Sequence, residues 1–304
     1  MSKIRSLSID EMNRGMNWIQ QNLTKFVTKD NANYQYSRCL DKIGGLLSSH
    51  VVKTSKRSHY WFRAREEASF LEDTHILQKS YLHPPAEITP GGRANIPNVP
   101  VLYVSESLDE VLLETGLLKS GKEVRVAILK YNGKLNLNQY YFPRNFSSIN
   151  ANVAKQAHSF FEPFFELMKN HTKEDKERAF HLHKIISNAF LDENHFFSSL
   201  IAYKNIYVDK SCDGIIYPGV KSLQMLNWAL SVDISNKCEV HKALKLKCNL
   251  TGENEILEVG VPCNENELDW QLPTELNLHL DIDLKFDKNY TPYKKLNKTS
   301  YNNK

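Results

Sequence analysis

The local fold is decided by the stretch GGRANIPNVPVLYVSESLDEVLLET, which occupies residues 91–115. Its prolines bound a loop, and the four residues after the second proline are β-branched, apolar or aromatic, as is typical of a buried strand. Ser107 and Glu110 then have the three-residue spacing of a capping box. A helix is therefore expected to begin there and to run to about Leu118, with Gly121 ending it.

Three residues of this stretch have side chains suited to chemistry: Arg93, Tyr103 and Glu114. A guanidinium binds phosphate through a planar fork of donors, and an aromatic ring can stack on a flat base. A fixed carboxylate stabilises the positive charge of an oxocarbenium-like transition state. Together, these three side chains are suited to binding and cleaving a nicotinamide dinucleotide. Each residue type also has a commoner structural role, in loop bracing, in a core or on a helix surface.

Five short motifs follow one another in the chain: YWFRAR at 60–65, GRAN at 92–95, VLY at 101–103, Glu114, and DGIIYP at 213–218. In order and spacing they resemble the RES domain, a family named for an arginine, a glutamate and a serine. Its characterised members are bacterial toxins of toxin–antitoxin pairs that degrade NAD. Their fold is similar to that of ADP-ribosyltransferases. The resemblance covers roughly residues 60–232 of the chain.

The resemblance implies an enzyme that cleaves the nicotinamide–ribose bond of NAD by hydrolysis or phosphorolysis. It assigns Arg93, Tyr103 and Glu114 to the NAD site as catalytic residues. Glu114 is expected to stabilise charge at the ribose, and Tyr103 to stack on the nicotinamide or orient it. Arg93 and Arg65 are expected at the pyrophosphate or its neighbouring ribose. NAD is then a substrate, and no prosthetic group is expected.

One position departs from the family pattern. The family continues its tyrosine–proline pair with serine, whereas this chain has Gly219 after Pro218. Ser222 can take the place of that serine only if the loop is rearranged. We include Ser222 as a further NAD-binding candidate. Two alternatives therefore stay open: an ADP-ribosyltransferase that modifies a macromolecular acceptor, and a weakened NAD-binding or interaction module.

The resemblance also implies a partner, because toxins of this family are commonly held inactive by an antitoxin with a helix-turn-helix DNA-binding portion. The helical N-terminal segment and a β extension near the C-terminus are candidates for docking, for forming a homodimer, or for another form of control. Direct binding to nucleic acid is not expected, since a net charge of +4 is mild and dispersed.

The expected fold class is α+β, with an ADP-ribosyltransferase-like core of mixed β-sheet and flanking helices. The predicted regions are a helical N-terminal extension (1–55), an NAD-binding catalytic domain (56–237), a small β extension (238–292) and a disordered tail (293–304).

Individual elements are predicted as well. Ser8 and Glu11 indicate a capping box, and apolar residues at helical spacing follow them. The remaining predicted elements are strands over 123–131, 134–138 and 215–217, and helices over 151–170 and 173–192.

Composition narrows the class of protein. Hydrophobic residues make up 41% and charged residues 24% of the 304 residues, as in ordinary globular proteins. Five cysteines without a CxxC pair favour a reducing interior over a disulfide framework or a zinc site. His181 and His183, two apart on a predicted helix, point to different sides, so no metal site is expected. No signal peptide or membrane-spanning run is evident, and a cytoplasmic location is expected.

Overall fold

The computed structural model of the chain describes residues 7–23, 27–43, 51–53, 57–67, 78–140, 169–221, 226–251, 254–264 and 267–274. Three predictions fall outside these ranges. They are the helix over 151–170, of which only the last two residues are described, Ser222, and the tail after residue 292.

The described chain contains both helices and strands, interspersed along the sequence. The helices are α1 (Ile9–Asn22), α2 (Ala32–Ile43), α3 (Leu108–Glu114), α4 (Lys173–Ala189), α5 (Phe196–Tyr203) and α6 (Val232–Ser235). The strands are β1 (Val51–Lys53), β2 (Arg57–Glu66), β3 (Leu102–Ser105), β4 (Glu123–Gly133), β5 (Asn136–Gln139), β6 (Gly214–Pro218), β7 (Leu226–Leu230), β8 (Glu239–Cys248), β9 (Asn254–Pro262) and β10 (Leu268–Gln271). The α+β fold class with a mixed sheet and flanking helices is confirmed.

The chain forms two compact units, each assembled from several stretches of sequence. The first contains Met1–Arg57, His83–Tyr103 and Gly133–Asn236, and the second contains Ser58–Leu82, Val104–Asn132 and Lys237–Lys304. The division of the sequence at residues 55, 237 and 292 follows chain order instead, and it stays a prediction.

In the first unit, four strands lie in the order β1-β5-β6-β7. The β5–β6 pair is parallel, and its two neighbouring pairs are antiparallel. Asp213, which directly precedes β6, fixes the start of this pair, since its carboxylate accepts a hydrogen bond of 2.7 Å from the Asn136 amide. The carbonyl of Asn136 in turn accepts one of 2.7 Å from the Asp213 amide.

The helices of the first unit share one apolar cluster. Side chains of α1, α2, α4 and α5 pack there with the loop of residues 94–101. Ile43, Ile96, Phe190 and Ile201 are among its fully buried members. The loop that carries Arg93 therefore continues directly into a packed core, which limits its freedom.

In the second unit, the strands follow the order β2-β4-β8-β9-β10, and the last two residues of β3, Val104 and Ser105, lie beside β2. The pairs β3–β2, β4–β8, β8–β9 and β9–β10 are antiparallel. The helix α3 packs Leu108, Val111 and Leu112 against Phe62 and Ala64 of β2 and against apolar residues of β4 and β8. The region after residue 238, for which a small β extension is predicted, contains β8–β10 in its described part.

The predicted capping box at Ser8 is complete, and the serine of the second, Ser107, caps its helix. Ser8 accepts a hydrogen bond from the Glu11 amide, and the Glu11 carboxylate accepts one of 2.8 Å from the Ser8 amide. Ser107 accepts a hydrogen bond of 3.2 Å from the Glu110 amide at the start of α3. These contacts satisfy amides that have no partner inside the helix.

The predicted end of α3 at about Leu118 is wrong, because the helix ends at Glu114. Gly116 takes a left-handed conformation with φ of 75°, which stops the helix. The amides of Leu117 and Leu118 then both donate to the carbonyl of Leu112, at 2.8 and 2.9 Å.

Other elements lie close to their predicted ranges. The strands expected over 123–131 and 215–217 are β4 and β6, and the strand expected over 134–138 is β5, which begins two residues later. The helix expected over 173–192 is α4, which ends three residues earlier, where the amide of Phe190 closes a tighter turn onto the Ser187 carbonyl.

Candidate functional site

A tight turn holds Arg93 at its tip. The amide of Gly92 donates a 2.9 Å hydrogen bond to the Asn95 carbonyl, and the Asn95 amide donates one of 3.4 Å to the Gly92 carbonyl. Arg93 and Ala94 are the two residues between these paired positions. The turn therefore presents the arginine while its neighbour Ala94 is buried in the core.

Tyr103 in β3 fastens this turn. Its hydroxyl accepts a 2.9 Å hydrogen bond from the Ala94 amide and donates one of 2.8 Å to Oδ1 of Asn95. Burial raises the pKa of the Tyr103 phenol well above its ordinary value, so the hydroxyl stays protonated and able to donate. These contacts give Tyr103 a role in positioning Arg93, while contact with a ligand stays a prediction.

The Asn95 side chain completes the same network. Its Nδ2 donates to the Pro90 carbonyl at 2.7 Å and to the Ile96 carbonyl at 3.1 Å. With Oδ1 accepting from Tyr103, the buried amide is satisfied at both ends. Buried and fully bonded side chains of this kind hold a turn in one conformation.

Gly92 fits the turn because it has no side chain. A Cβ at this position would lie 2.8 Å from Asn95 Oδ1 and 2.9 Å from the Tyr103 hydroxyl. Both distances are too short for a carbon atom, and both atoms are fixed by their hydrogen bonds. The glycine of the GRAN motif is thus explained by the network beside it.

A cleft of about 610 Å³ borders the turn within the first unit. One wall consists of Gly91, Gly92, Asn95 and Pro97, and the other of residues 193–196 and Ser199 at the start of α5. Clefts that bind small molecules range over roughly 300–1,000 Å³. The cleft therefore has the size of a small-molecule site.

Hydrogen bonds fix the second wall of the cleft. The Asn194 side chain accepts a 3.1 Å hydrogen bond from the Phe196 amide at the start of α5, and the Asp192 carboxylate accepts one of 3.0 Å from the Asn194 amide. The carbonyl of His195 accepts from the Ser199 amide at 2.9 Å. His195 is therefore held at the first turn of the helix.

Two buried nitrogen atoms at this site lack a hydrogen-bond partner among the described residues. They are Nε of Arg93 and Nδ1 of His195. Burial lowers the pKa of His195 below its ordinary value of 6.5, and the charge of Arg93 lowers it further. The backbone and carboxylate of Asp192, together with Glu193, act in the opposite direction. A bound anion would supply the acceptor that Arg93 lacks.

Arg65 lies in the second unit, where it braces a neighbouring segment. Its Nη1 donates a 2.8 Å hydrogen bond to the Ser80 carbonyl, and Nη1 of Arg63 donates to the Leu82 carbonyl. Side chains alternate along a strand, so Arg63 and Arg65 lie on the face of β2 opposite Phe62 and Ala64, which pack against α3. Burial lowers the pKa of both arginines.

Glu114 is the last residue of α3 in the second unit, one turn after Glu110. Burial raises the pKa of Glu110 to about 8, with contributions from the charges of Glu106 and Glu114. Glu110 is therefore mostly protonated at neutral pH, beside the candidate catalytic carboxylate.

The predicted site residues divide between the two units. Arg93 and Tyr103 are brought together in the first, Arg65 and Glu114 belong to the second, and Ser222 lies outside the described residues. His195 was missed by sequence reasoning. Asn194 two residues before an apolar run is a helix-start signal, but nothing in the sequence pairs that helix with residues 91–97.

No helix in the part of the chain that the structure describes is long and apolar enough to cross a membrane. Within the same ranges, no group of three or more His, Cys, Asp or Glu side chains is placed to hold a metal ion.

Comparison with known proteins gives a distant structural likeness. No family model and no curated protein matches the chain. A chain in the crystal structure of the M. tuberculosis MbcT–MbcA toxin–antitoxin complex is similar, with a TM-score of 0.36 and 10% sequence identity. The match covers 64% of this chain and 88% of that chain. A likeness this distant identifies neither a shared family nor a shared activity.

Proposed function

We propose that the chain is an enzyme that cleaves the nicotinamide–ribose bond of NAD, and that the cleft beside the Arg93 turn binds the dinucleotide. The observation that carries this proposal is the buried, unpartnered Nε of Arg93 in the turn that borders a cleft of about 610 Å³. A guanidinium held in this way is suited to a phosphate oxygen, which accepts hydrogen bonds from its planar fork.

The walls of the cleft also suit a flat ring. The Phe196 side chain and Pro97 are apolar, and Gly91 and Gly92 expose peptide groups without side chains. Aromatic and peptide surfaces of this kind stack against heteroaromatic rings such as nicotinamide or adenine. A phosphate beside Arg93 and a ring against these walls are two parts of one dinucleotide.

In the proposed reaction, the bond between the ribose C1′ and the nicotinamide nitrogen breaks, and nicotinamide leaves with the bonding electron pair. A water oxygen, or a phosphate oxygen in phosphorolysis, forms the new bond to C1′. Hydrolysis yields ADP-ribose, nicotinamide and a proton. The transition state is positively charged at the ribose, and Glu114 is the carboxylate proposed to stabilise it.

The remaining residues have supporting roles in the proposal. Tyr103 holds the Arg93 turn and is also proposed to orient the nicotinamide. Arg65 and Ser222 keep the NAD-binding roles that the motif resemblance gives them. The same resemblance leads us to propose that the enzyme is the toxin of a cytoplasmic toxin–antitoxin pair, restrained by an antitoxin with a helix-turn-helix domain.

Incubation of the purified chain with NAD labelled in its adenine ring tests the proposal. We expect release of nicotinamide together with ADP-ribose. When phosphate is supplied, ADP-ribose 1″-phosphate in place of ADP-ribose is equally expected. Label attached to protein or nucleic acid would instead favour an ADP-ribosyltransferase. An unchanged NAD pool with water, phosphate and macromolecular acceptors present would overturn the proposed activity and leave the binding module that Gly219 allows.

A further inference from the structure

The cleft has a second polar group, opposite the turn. His195 lies on the wall formed by the start of α5, and its Nδ1 is buried without a hydrogen-bond partner among the described residues. A buried polar atom that lacks a partner is costly, and such atoms in native structures often mark the place of a ligand or an ordered water. His195 was assigned no role by the sequence motifs.

The charged groups around His195 come from two elements. Arg93 in the turn adds positive charge, and Asp192 and Glu193 in its own segment add negative charge. The Asp192 carboxylate is already engaged, since it accepts hydrogen bonds from the Asn194 amide and from Nε2 of Gln20, at 3.0 and 2.9 Å. The charge of Arg93 therefore disfavours the protonated, positively charged form of His195.

We propose that His195 contacts the phosphate groups of the ligand from the wall opposite Arg93, so that protonation of His195 strengthens binding. The inference rests on the proposed NAD site and names a residue that the motifs do not supply. An anion placed between the two groups accepts from both and offsets their repulsion.

The direction of the pH dependence follows from this arrangement. Without a bound anion, burial and the charge of Arg93 hold the pKa of His195 below its ordinary value, which favours the neutral ring. A bound anion favours the charged ring and raises this pKa. By linkage, affinity rises as the pH falls through the pKa of the bound state, and it levels off below the pKa of the empty state.

Calorimetric titration with ADP-ribose between pH 5 and pH 8 tests the inference. ADP-ribose keeps both phosphates of NAD but cannot lose nicotinamide, and its pyrophosphate diester does not titrate in this range. For the unaltered chain, we expect affinity to increase roughly ten-fold towards the acid end, as for a hydrogen bond that becomes charge-assisted. In His195→Gln the dependence should disappear, and the affinity should stay at its alkaline value.

His181→Gln is the matched control. His181 also has a lowered pKa, but it bonds to Asn13 Oδ1 at 2.8 Å and is not among the residues that line the cleft. This variant should keep the full pH dependence. An unchanged profile in His195→Gln would overturn the inference.

Failure of the inference is distinguishable from failure of the proposed function. If the chain cleaves NAD but His195→Gln keeps the pH dependence of ADP-ribose affinity, only the role of His195 is wrong. Binding of ADP-ribose that depends on His195, without NAD cleavage under any condition, keeps the role of His195 and removes the proposed reaction.

Discussion

The Tyr103 hydroxyl donates a 2.8 Å hydrogen bond to Asn95 Oδ1, and through it β3 fixes the turn that presents Arg93. The same hydroxyl accepts from the Ala94 amide at 2.9 Å. Tyr103 and Arg93, ten residues apart in sequence, are therefore mechanically linked. The ten-residue spacing of Arg93 and Tyr103 therefore has a structural reason, because the strand that follows the turn brings the Tyr103 hydroxyl back to it.

Tyr103→Phe should destabilise the chain by about 1–3 kcal/mol. The substitution leaves the Ala94 amide without its acceptor and Asn95 Oδ1 without its donor, and both residues are buried. The free energy of unfolding from urea denaturation measures the effect. Affinity for ADP-ribose should fall as well, because the Arg93 turn is no longer held in one conformation.

Tyr203→Phe is the control for that measurement. Tyr203 is also buried, but its hydroxyl takes no part in the hydrogen bonds that hold the Arg93 turn. A change below about 0.5 kcal/mol is expected. Equal losses of stability in the two variants would contradict the assignment of Tyr103 to the turn.

Gly92→Ala should be more damaging than Gly91→Ala, although the two residues are neighbours in the same loop. An added Cβ at Gly92 meets two hydrogen-bonded atoms at 2.8 and 2.9 Å, whereas at Gly91 the shortest distance is 3.2 Å, to Cδ of Pro97. We expect a loss of about 1–3 kcal/mol at Gly92 and a smaller loss at Gly91. A larger loss of stability for Gly91→Ala than for Gly92→Ala in thermal unfolding would contradict this explanation of Gly92.

Features set by local hydrogen bonds could be predicted from the sequence. The N-terminal caps at Ser8 and Ser107 join atoms three residues apart, so the local sequence alone reveals them. The strand and helix around Tyr103 follow from the same local rules. The end of α3 could not be predicted in this way, because Gly116 stops the helix before its apolar pattern ends.

The cleft could not be predicted from the sequence because its two walls are distant from each other along the chain. Gly92 and His195 border the same space although about a hundred residues separate them. Their proximity depends on how the loop of residues 94–101 packs against α5 in the core. Motif spacing identified Arg93, but only the packed structure adds His195 to the site.

Arg93→Lys should weaken ADP-ribose binding about ten-fold, although the positive charge is kept. Lysine lacks the planar fork and places no donor at the buried position of Arg93 Nε. Arg178→Lys is the control, since Arg178 pairs with Glu174 and Asp175 on α4. Calorimetry should show unaltered affinity for that variant. Equal affinity in Arg93→Lys would remove the phosphate role of Arg93.

Glu110→Gln should change how stability depends on pH. In the folded chain the pKa of Glu110 is raised to about 8 from an ordinary value of 4.5, so between these values the folded state holds a proton that the unfolded state has released. Stability of the unaltered chain should therefore fall as the pH rises from 4.5 to 8. The glutamine variant should lack this decline, as urea unfolding at several pH values would reveal. Parallel curves for both proteins would mean that Glu110 titrates normally.

Glu114→Gln should lower the rate of NAD cleavage by about a hundred-fold or more, with little change in ADP-ribose affinity. The substitution removes a negative charge that is needed mainly when the ribose becomes positively charged, so kcat should fall and binding should persist. Glu110→Gln is the matched control, one turn earlier on α3 and already mostly protonated at pH 7. Nicotinamide release at pH 7 should be normal in this control. Undiminished turnover in Glu114→Gln would transfer the catalytic role to another carboxylate.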